Sequence, residues 1–142
     1  MRLLPYSATA LTLGGAILMV LGLYFAFLRP PLLPEDARFM GTSLDQAQAT
    51  LPGLSGWLRH VFRVQGGYIG ATGLLTICLA VTAFRARTGG AALVATFAGL
   101  TSIGLMAVVN FRIGSDFKWL ILSFGLPWVV ALALYLIEGR DA

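Results

Sequence analysis

The sequence predicts an all-α integral membrane protein, a four-helix bundle that forms a single transmembrane domain over residues 1–142. The prediction rests on composition and on four long apolar runs. Hydrophobic residues make up 58% of the chain and charged residues 11%, whereas a soluble domain carries about 45–50% apolar and about 25% charged residues. The mean hydropathy of +0.84 agrees with this. The composition therefore excludes a disordered chain, a fibrous repeat and an ordinary soluble enzyme.

Four apolar segments reach the roughly 20 residues that a transmembrane helix needs. They are predicted at about residues 7–28, 57–84, 91–111 and 119–137. Arg2 precedes the first segment, as in a signal peptide, but the apolar stretch exceeds the about 7–15 residues of a signal h-region, so we expect a retained helix. The second segment is predicted to begin upstream of Val64, near Trp57, because backbone groups in lipid must be bonded within a helix.

Prolines, glycines and charges separate the four segments. The Arg-Pro-Pro run at 29–31 ends the first, since proline removes a donor and clashes with the preceding turn. The short connections at 85–90 and 112–116 make the neighbouring helices antiparallel. Pro127 lies inside the fourth segment and predicts a kink near Ser123. Either the kink is the ordinary effect of a proline in a membrane helix, or it makes room for a cavity beside it.

The longest connection is the loop at residues 30–54, between the first and second helices. It is mildly polar and too short for a core of its own. Ser43 is placed to cap the N-terminus of a short helix that continues to Ala49. We expect this segment to form either a small lid or a short helix at the membrane interface.

The charges have the distribution of membrane anchors. The chain has a net charge of +4, but almost all of its ten cations flank apolar runs, which argues against a nucleic-acid surface. An even number of spans places both termini and the 85–87 turn on one side. The side with the termini carries four cations, and the opposite side carries six. The count alone therefore favours the opposite side as cytoplasmic. The compact pair Arg85 and Arg87, with Arg2 before the first helix, favours cytoplasmic termini, and we predict a multi-pass membrane protein in that orientation.

Several chemistries lack the residues they need. The chain contains one His and one Cys, so it has no ligand set for a bis-histidine haem, zinc or di-iron site and no C-x-x-C motif. None of its six acids lies in the middle of a span, which argues against a proton-coupled antiporter. Cys78 is expected to be a small buried filler. We predict no catalytic residue, no metal site and no cofactor.

Polar side chains gather at the start of the second span and at the end of the third. The set is Arg59, His60, Arg63, Gln65, Asn110, Arg112 and Asp116. Because the two spans are antiparallel, both groups fall at the same membrane face. Arg59 and Arg63 are four residues apart and share a helix face that continues into glycines. This face is a candidate site for a lipid phosphate or another polar head, with its tail along the glycines.

The same residues also admit a purely structural interpretation. Arg63 would pair with Asp116 or cap backbone carbonyls, while Arg59 and Lys118 extend to the headgroups beside an aromatic belt. This interpretation predicts that Arg63→Ala loosens the bundle more than Arg59→Ala. Small residues of the second span, which permit close helix contact within the chain or between two copies, are predicted to pack helices. They are Gly66, Gly67, Gly70 and Gly73.

The glycine-rich run from Arg63 to Leu74, RVQGGYIGATGL, resembles a segment of small four-helix bacterial membrane proteins of unknown function, which are loosely similar to the DoxX-like group. The resemblance extends to the layout of four spans with a longer first loop. It implies a bacterial inner-membrane bundle without an established activity. This chain has no cysteine pair, so no thiol-redox role is carried over.

Two functional hypotheses follow. The first is a non-catalytic protein, either an accessory subunit of a membrane complex or a binder of a lipid-like molecule. The alternative is a membrane enzyme or carrier that acts on a lipophilic substrate such as a quinone, an isoprenoid or a lipid. The expected partners are membrane lipids and either a membrane protein or a second copy of the chain. A shared cavity would favour the binder or the enzyme, and separate headgroup contacts the accessory subunit.

Overall fold

The computed structural model describes residues 5–139, and within this range the chain forms six helices and no strand. The four long helices are α1 (Tyr6–Leu28), α4 (Leu54–Phe84), α5 (Ala91–Arg112) and α6 (Lys118–Glu138). The two short helices are α2 (Pro34–Phe39) and α3 (Leu44–Thr50). The predicted all-α four-helix bundle with a loop after its first helix is confirmed. Arg2 and Arg140, which enter the orientation prediction, lie outside the described residues.

All four long helices have the length and apolar composition to cross a membrane. Large apolar side chains point outward over their surfaces; Leu75 and Leu93, for example, are 68% and 73% exposed. Water would penalise such a surface, whereas lipid does not. The 31 residues of α4 span about 46 Å, more than the roughly 30 Å hydrocarbon core. The chain is a membrane-embedded protein, and α4 is longer than the hydrocarbon layer is thick.

The loop between α1 and α4 contains two short helices rather than one. Ser43 caps α3 as expected, since its Oγ accepts a hydrogen bond from the Gln46 amide at 3.2 Å. The unexpected helix is α2, which begins with Pro34 followed by two acids. Asp36 Oδ2 accepts the Leu33 amide at 2.9 Å. A proline in the first turn and acids near the helix N-terminus are the local reasons for this start.

Helix α1 is the central element, because it packs against both α4 and α6. Its buried positions recur every three or four residues, the spacing of a helix that contacts neighbours along one continuous face. These positions are Ser7, Ala8, Leu11, Gly14, Gly15, Leu18, Leu21 and Gly22.

Glycines let α1 and α4 approach through their backbones. A Cβ atom at Gly66 would lie 2.5 Å from the Gly22 oxygen, and one at Gly73 would lie 2.6 Å from the Gly15 oxygen. Neither position therefore admits a larger residue without moving the helices apart. A Cβ at Gly67 or Gly70 would meet nothing within 4 Å. Gly70 contributes only its backbone to this seam.

Trp128 fills the centre of the bundle. Its ring is 3% exposed and wedges between α1 and α5, where a Cβ at Gly14 or Gly99 would lie 2.6 or 2.5 Å from it. It follows a break in α6, whose two regular segments are Lys118–Ser123 and Leu126–Glu138. This interruption, at Phe124 and Gly125, lies next to Ser123, where the sequence predicts a kink.

The prediction that Cys78 is buried is wrong, since this side chain is exposed on α4. Its neighbours Thr76 and Ala80, two residues away on either side, are buried. At about 100° per residue, two residues turn a helix by about 200°. Cys78 therefore points away from the α1 seam, toward lipid.

Glu138 connects several helices at the end of the bundle that is opposite the loop between α1 and α4. Its carboxylate accepts hydrogen bonds from the amide and the hydroxyl of Ser7, in the first turn of α1. It also pairs with Arg87, with Nη2 3.5 Å from Oε2. The Arg87 guanidinium lies 4.3 Å from the centroid of the Tyr135 ring. One carboxylate thus accepts hydrogen bonds at the N-terminus of α1 and joins this end to α6 and to the α4–α5 turn.

Candidate functional site

A cavity of about 1040 Å³ lies in the half of the bundle nearest the loop, between all four long helices. It exists because α5 packs on α4 over its first half, near their connecting turn, and separates from α4 after Leu100. Tyr68 of α4 and Leu105 of α5 line the cavity and are still 73% and 56% exposed. The cavity is therefore open sideways, between α4 and α5, toward the lipid.

The cavity is one leaflet deep. Along α4 its lining runs from Val61 to Thr72, a rise of about 16 Å. Half of the roughly 30 Å hydrocarbon core is a similar distance. The deeper walls are mostly apolar side chains, such as Leu18, Ile69 and Phe124. This part of the cavity has the chemistry of a site for a hydrocarbon tail.

Two π-helical turns shape the cavity wall. The turn Tyr24–Leu28 ends α1 and places Tyr24 and Phe25 in the lining, and the turn Leu100–Gly104 of α5 places Thr101 and Ser102 there. A π turn adds a residue to the helical turn and redirects the side chains around it. The Thr101 hydroxyl donates to the Phe97 oxygen at 2.8 Å, so this polar group is satisfied without a ligand.

The end of the cavity nearest the loop is polar, and Arg29 stands at its centre. This side chain is 11% exposed, with Nη2 3.3 Å from Asp36 Oδ2. Its Nη1 donates to the Pro30 oxygen at 2.9 Å. The guanidinium also stacks on the Phe62 ring at 3.6 Å from the centroid, a cation–π contact that gains strength when desolvated.

Helix α2 covers this polar end through a buried carboxylate. Glu35 is 3% exposed, and its Oε1 accepts a hydrogen bond from Ser115 Oγ at 3.1 Å. Ser115 is itself buried and accepts the Phe117 amide at 3.1 Å. Glu35, Asp36 and Ser115 all line the cavity. The loop before α4 and the turn before α6 therefore meet over the cavity.

A second link between these segments lies on the surface. Arg38 Nη2 is 2.8 Å from Asp116 Oδ1, and both side chains are exposed. The hydrogen bond and the charge of Asp116 raise the pKa of Arg38, with a smaller contribution from the charge of Glu35. The predicted pairing of Asp116 with Arg63 is therefore wrong. Helix α2, absent from the sequence prediction, brings Arg38 to Asp116 instead.

The structure divides the predicted polar cluster. Gln65 and Asn110 line the cavity and come from facing helices. The other five residues lie outside the lining and are exposed: Arg59, His60, Arg63, Arg112 and Asp116. Arg63 is two residues from Gln65 and so points to nearly the opposite side of α4.

The glycine face below Arg59 and Arg63 is not an open groove. It is the seam in which α1 packs, with Gly66 against Gly22 and Ala26. A lipid tail therefore has no room at Gly66 or Gly73, where the backbone of α1 occupies the space. The space for a tail is instead the cavity on the side of α4 that carries Gln65 and Tyr68.

Four residues of the polar end were missed: Arg29, Glu35, Asp36 and Ser115. Local sequence offered one signal, the start of α2 at Leu33-Pro34-Glu35-Asp36, where a proline and two acids mark a helix N-terminus. It offered none for the contact between Glu35 and Ser115, which are 80 residues apart.

Among residues 5–139, no group of three or more His, Cys, Asp or Glu side chains is placed to hold a metal ion. No family model, curated protein or solved structure matches this chain.

Proposed function

We propose that this membrane protein binds one lipid-like amphiphile, with its tail in the apolar part of the cavity and its head at the polar end. The observation that carries the proposal is the cavity itself, about 1040 Å³ and open toward the lipid between α4 and α5. Ligand sites of this size, about 300–1000 Å³, are typically apolar with a few placed polar groups.

The arrangement of the walls supports an amphiphile over a wholly apolar guest. The polar residues Gln65 and Asn110 line the cavity near the loop, and Leu18 and Phe124 line its deeper part. A guest with one polar end satisfies both regions at once. The sideways opening gives such a molecule a route from the bilayer that keeps its tail out of water.

The test is native mass spectrometry of the protein after mild extraction from its source membrane. Thr72 lies half-buried in the cavity lining, so Thr72→Phe fills the cavity with a ring. Thr82→Phe is the matched control, because Thr82 is an exposed threonine of the same helix outside the lining. In both, the hydroxyl bonds the carbonyl four residues earlier.

We expect a discrete added mass on the native protein and on Thr82→Phe, and its loss from Thr72→Phe. The absence of any added mass, or its retention in Thr72→Phe, would refute the proposal. A stoichiometric protein partner without a small ligand would favour an accessory subunit instead. The predicted protein partner or second copy, the cytoplasmic termini and the DoxX-like resemblance stay predictions.

The alternative of an enzyme or carrier for a lipophilic substrate uses the same cavity. Its one specific support is Glu35, a carboxylate that is 3% exposed and lines the polar end. Buried carboxylates in clefts are recurrent acid–base groups. A retained molecule that is chemically altered in the wild type and unaltered in Glu35→Gln would favour this alternative.

A further inference from the structure

We infer that the cavity selects an amphiphile with an uncharged, hydrogen-bonding head and discriminates against an anionic head such as a phosphate. The inference rests on the proposed function and names the ligand class of that cavity. It arises from the charges that line the polar end. Among the residues that the structure describes, this lining holds one cation, Arg29, and two carboxylates, Glu35 and Asp36.

The single cation is already engaged. Arg29 Nη2 pairs with Asp36 at 3.3 Å, Nη1 donates to the Pro30 oxygen at 2.9 Å, and one guanidinium face lies on the Phe62 ring. A phosphate that bound Arg29 would have to compete with Asp36 for the same planar group. Phosphate sites in proteins instead offer free arginine forks or backbone amides.

The two carboxylates of the lining oppose the binding of a negatively charged head. Asp36 lies beside Arg29, and Glu35 is buried next to it with Ser115 donating to its Oε1. Because Arg29 is paired with Asp36, and Glu35 adds no positive charge, the lining has no net positive charge. Like charges brought together in a poorly solvated site cost several-fold to many-fold in affinity.

Uncharged groups supply the hydrogen bonds for a head. Gln65 has no hydrogen-bond partner among the described residues, so its amide is free to donate and accept. Asn110 Nδ2 donates to the Met106 oxygen at 2.9 Å, which leaves its Oδ1 available as an acceptor. Tyr24 and Tyr68 add two phenol groups to the lining. A hydroxyl or carbonyl head matches amides and phenols of this kind.

The free cations of this end lie on the outside. Arg59 and Arg63 are exposed on the other side of α4, where they suit the phosphates of the surrounding bilayer. The fold thus separates two surfaces of one helix. Anionic headgroups meet the arginine side, and the cavity side presents amides and carboxylates.

The experiment compares two probes that differ by one phosphate. The full chain in detergent is titrated with 1-oleoylglycerol and, separately, with 1-oleoylglycerol 3-phosphate, and occupancy is read by native mass spectrometry. We expect the uncharged probe to bind about tenfold tighter or better, which corresponds to about 1.4 kcal/mol. Asp36→Asn should reduce the ratio of the two affinities, because it releases Arg29 from its ion pair. Asp45 is an exposed acid of the same loop, and Asp45→Asn should leave the ratio unchanged.

The outcomes separate the two proposals. Tighter binding of the uncharged probe, lost in Thr72→Phe, supports the inference. If the phosphate probe binds as tightly as the uncharged probe or more tightly, and Thr72→Phe abolishes this binding, the head selectivity is overturned and the proposed function stands. If neither probe binds, or if Thr72→Phe binds both probes as tightly as the wild type does, the proposed function is overturned and this inference with it. The wild-type comparison alone decides the selectivity if Asp36→Asn fails to fold.

Discussion

The seam between α1 and α4 predicts opposite behaviour for two adjacent glycines of α4. A Cβ at Gly66 would lie 2.5 Å from the Gly22 oxygen and 2.5 Å from the Ala26 nitrogen, whereas ordinary contact begins at 3.4 Å. Both opposing atoms belong to the backbone, so no side chain can rotate away. The helices must separate by roughly 1 Å, which loses a quarter to a half of the dispersion attraction between the atoms concerned. A Cβ at Gly67 would meet nothing within 4 Å.

Overpacking a tight core costs about 1–3 kcal/mol. We therefore expect Gly66→Ala to lower the free energy of unfolding by about 2 kcal/mol and Gly67→Ala to change it by less than about 0.5 kcal/mol. Unfolding by SDS in mixed micelles, followed by tryptophan fluorescence, measures both. Helices largely persist in SDS, so the helix propensity of alanine contributes little to the difference. Equal stability of the two variants would refute the close approach of α1 and α4.

Two further stability predictions use the charged ends of the bundle. Glu138→Ala removes the hydrogen bonds at the N-terminus of α1 and the partly exposed ion pair with Arg87, and we expect a loss of about 1–2 kcal/mol in the same unfolding assay; a variant as stable as the wild type would contradict this role. Arg59→Ala and Arg63→Ala should have equal thermal stability, because both side chains are exposed and lack an ion pair among residues 5–139. A selective loss in Arg63→Ala would restore the pairing interpretation that the position of Asp116 argues against.

The candidate site was only partly readable from the sequence. Gln65 and Asn110 were identified because antiparallel spans must bring them to the same membrane face, and both line the cavity. The arginines beside them were assigned to the same site because they share a helix face with glycines. That face is filled by α1, and a choice between two faces of one helix depends on where its neighbours pack.

Arg29 illustrates the same difficulty from the other side. By sequence it is a cation after an apolar run, which is the ordinary position of a membrane anchor. Its burial over Phe62 follows from the return of the chain at the prolines and from the docking of α2. No local pattern encodes this turn of the chain, because it depends on a contact between Glu35 of α2 and Ser115, which follows the end of α5.

By itself the sequence determined the membrane class, the four long helices, the breaks between them and the capped helix at Ser43. These features are local, since lipid demands about 20 apolar residues in a row and internal hydrogen bonding of the backbone. Only the tertiary structure decided which side of α4 meets α1, and that the departure of α5 from α4 opens a cavity. Outside water, apolar faces do not distinguish a neighbouring helix from lipid, so close contacts of glycines, Trp128 and a few long-range polar groups select the packing.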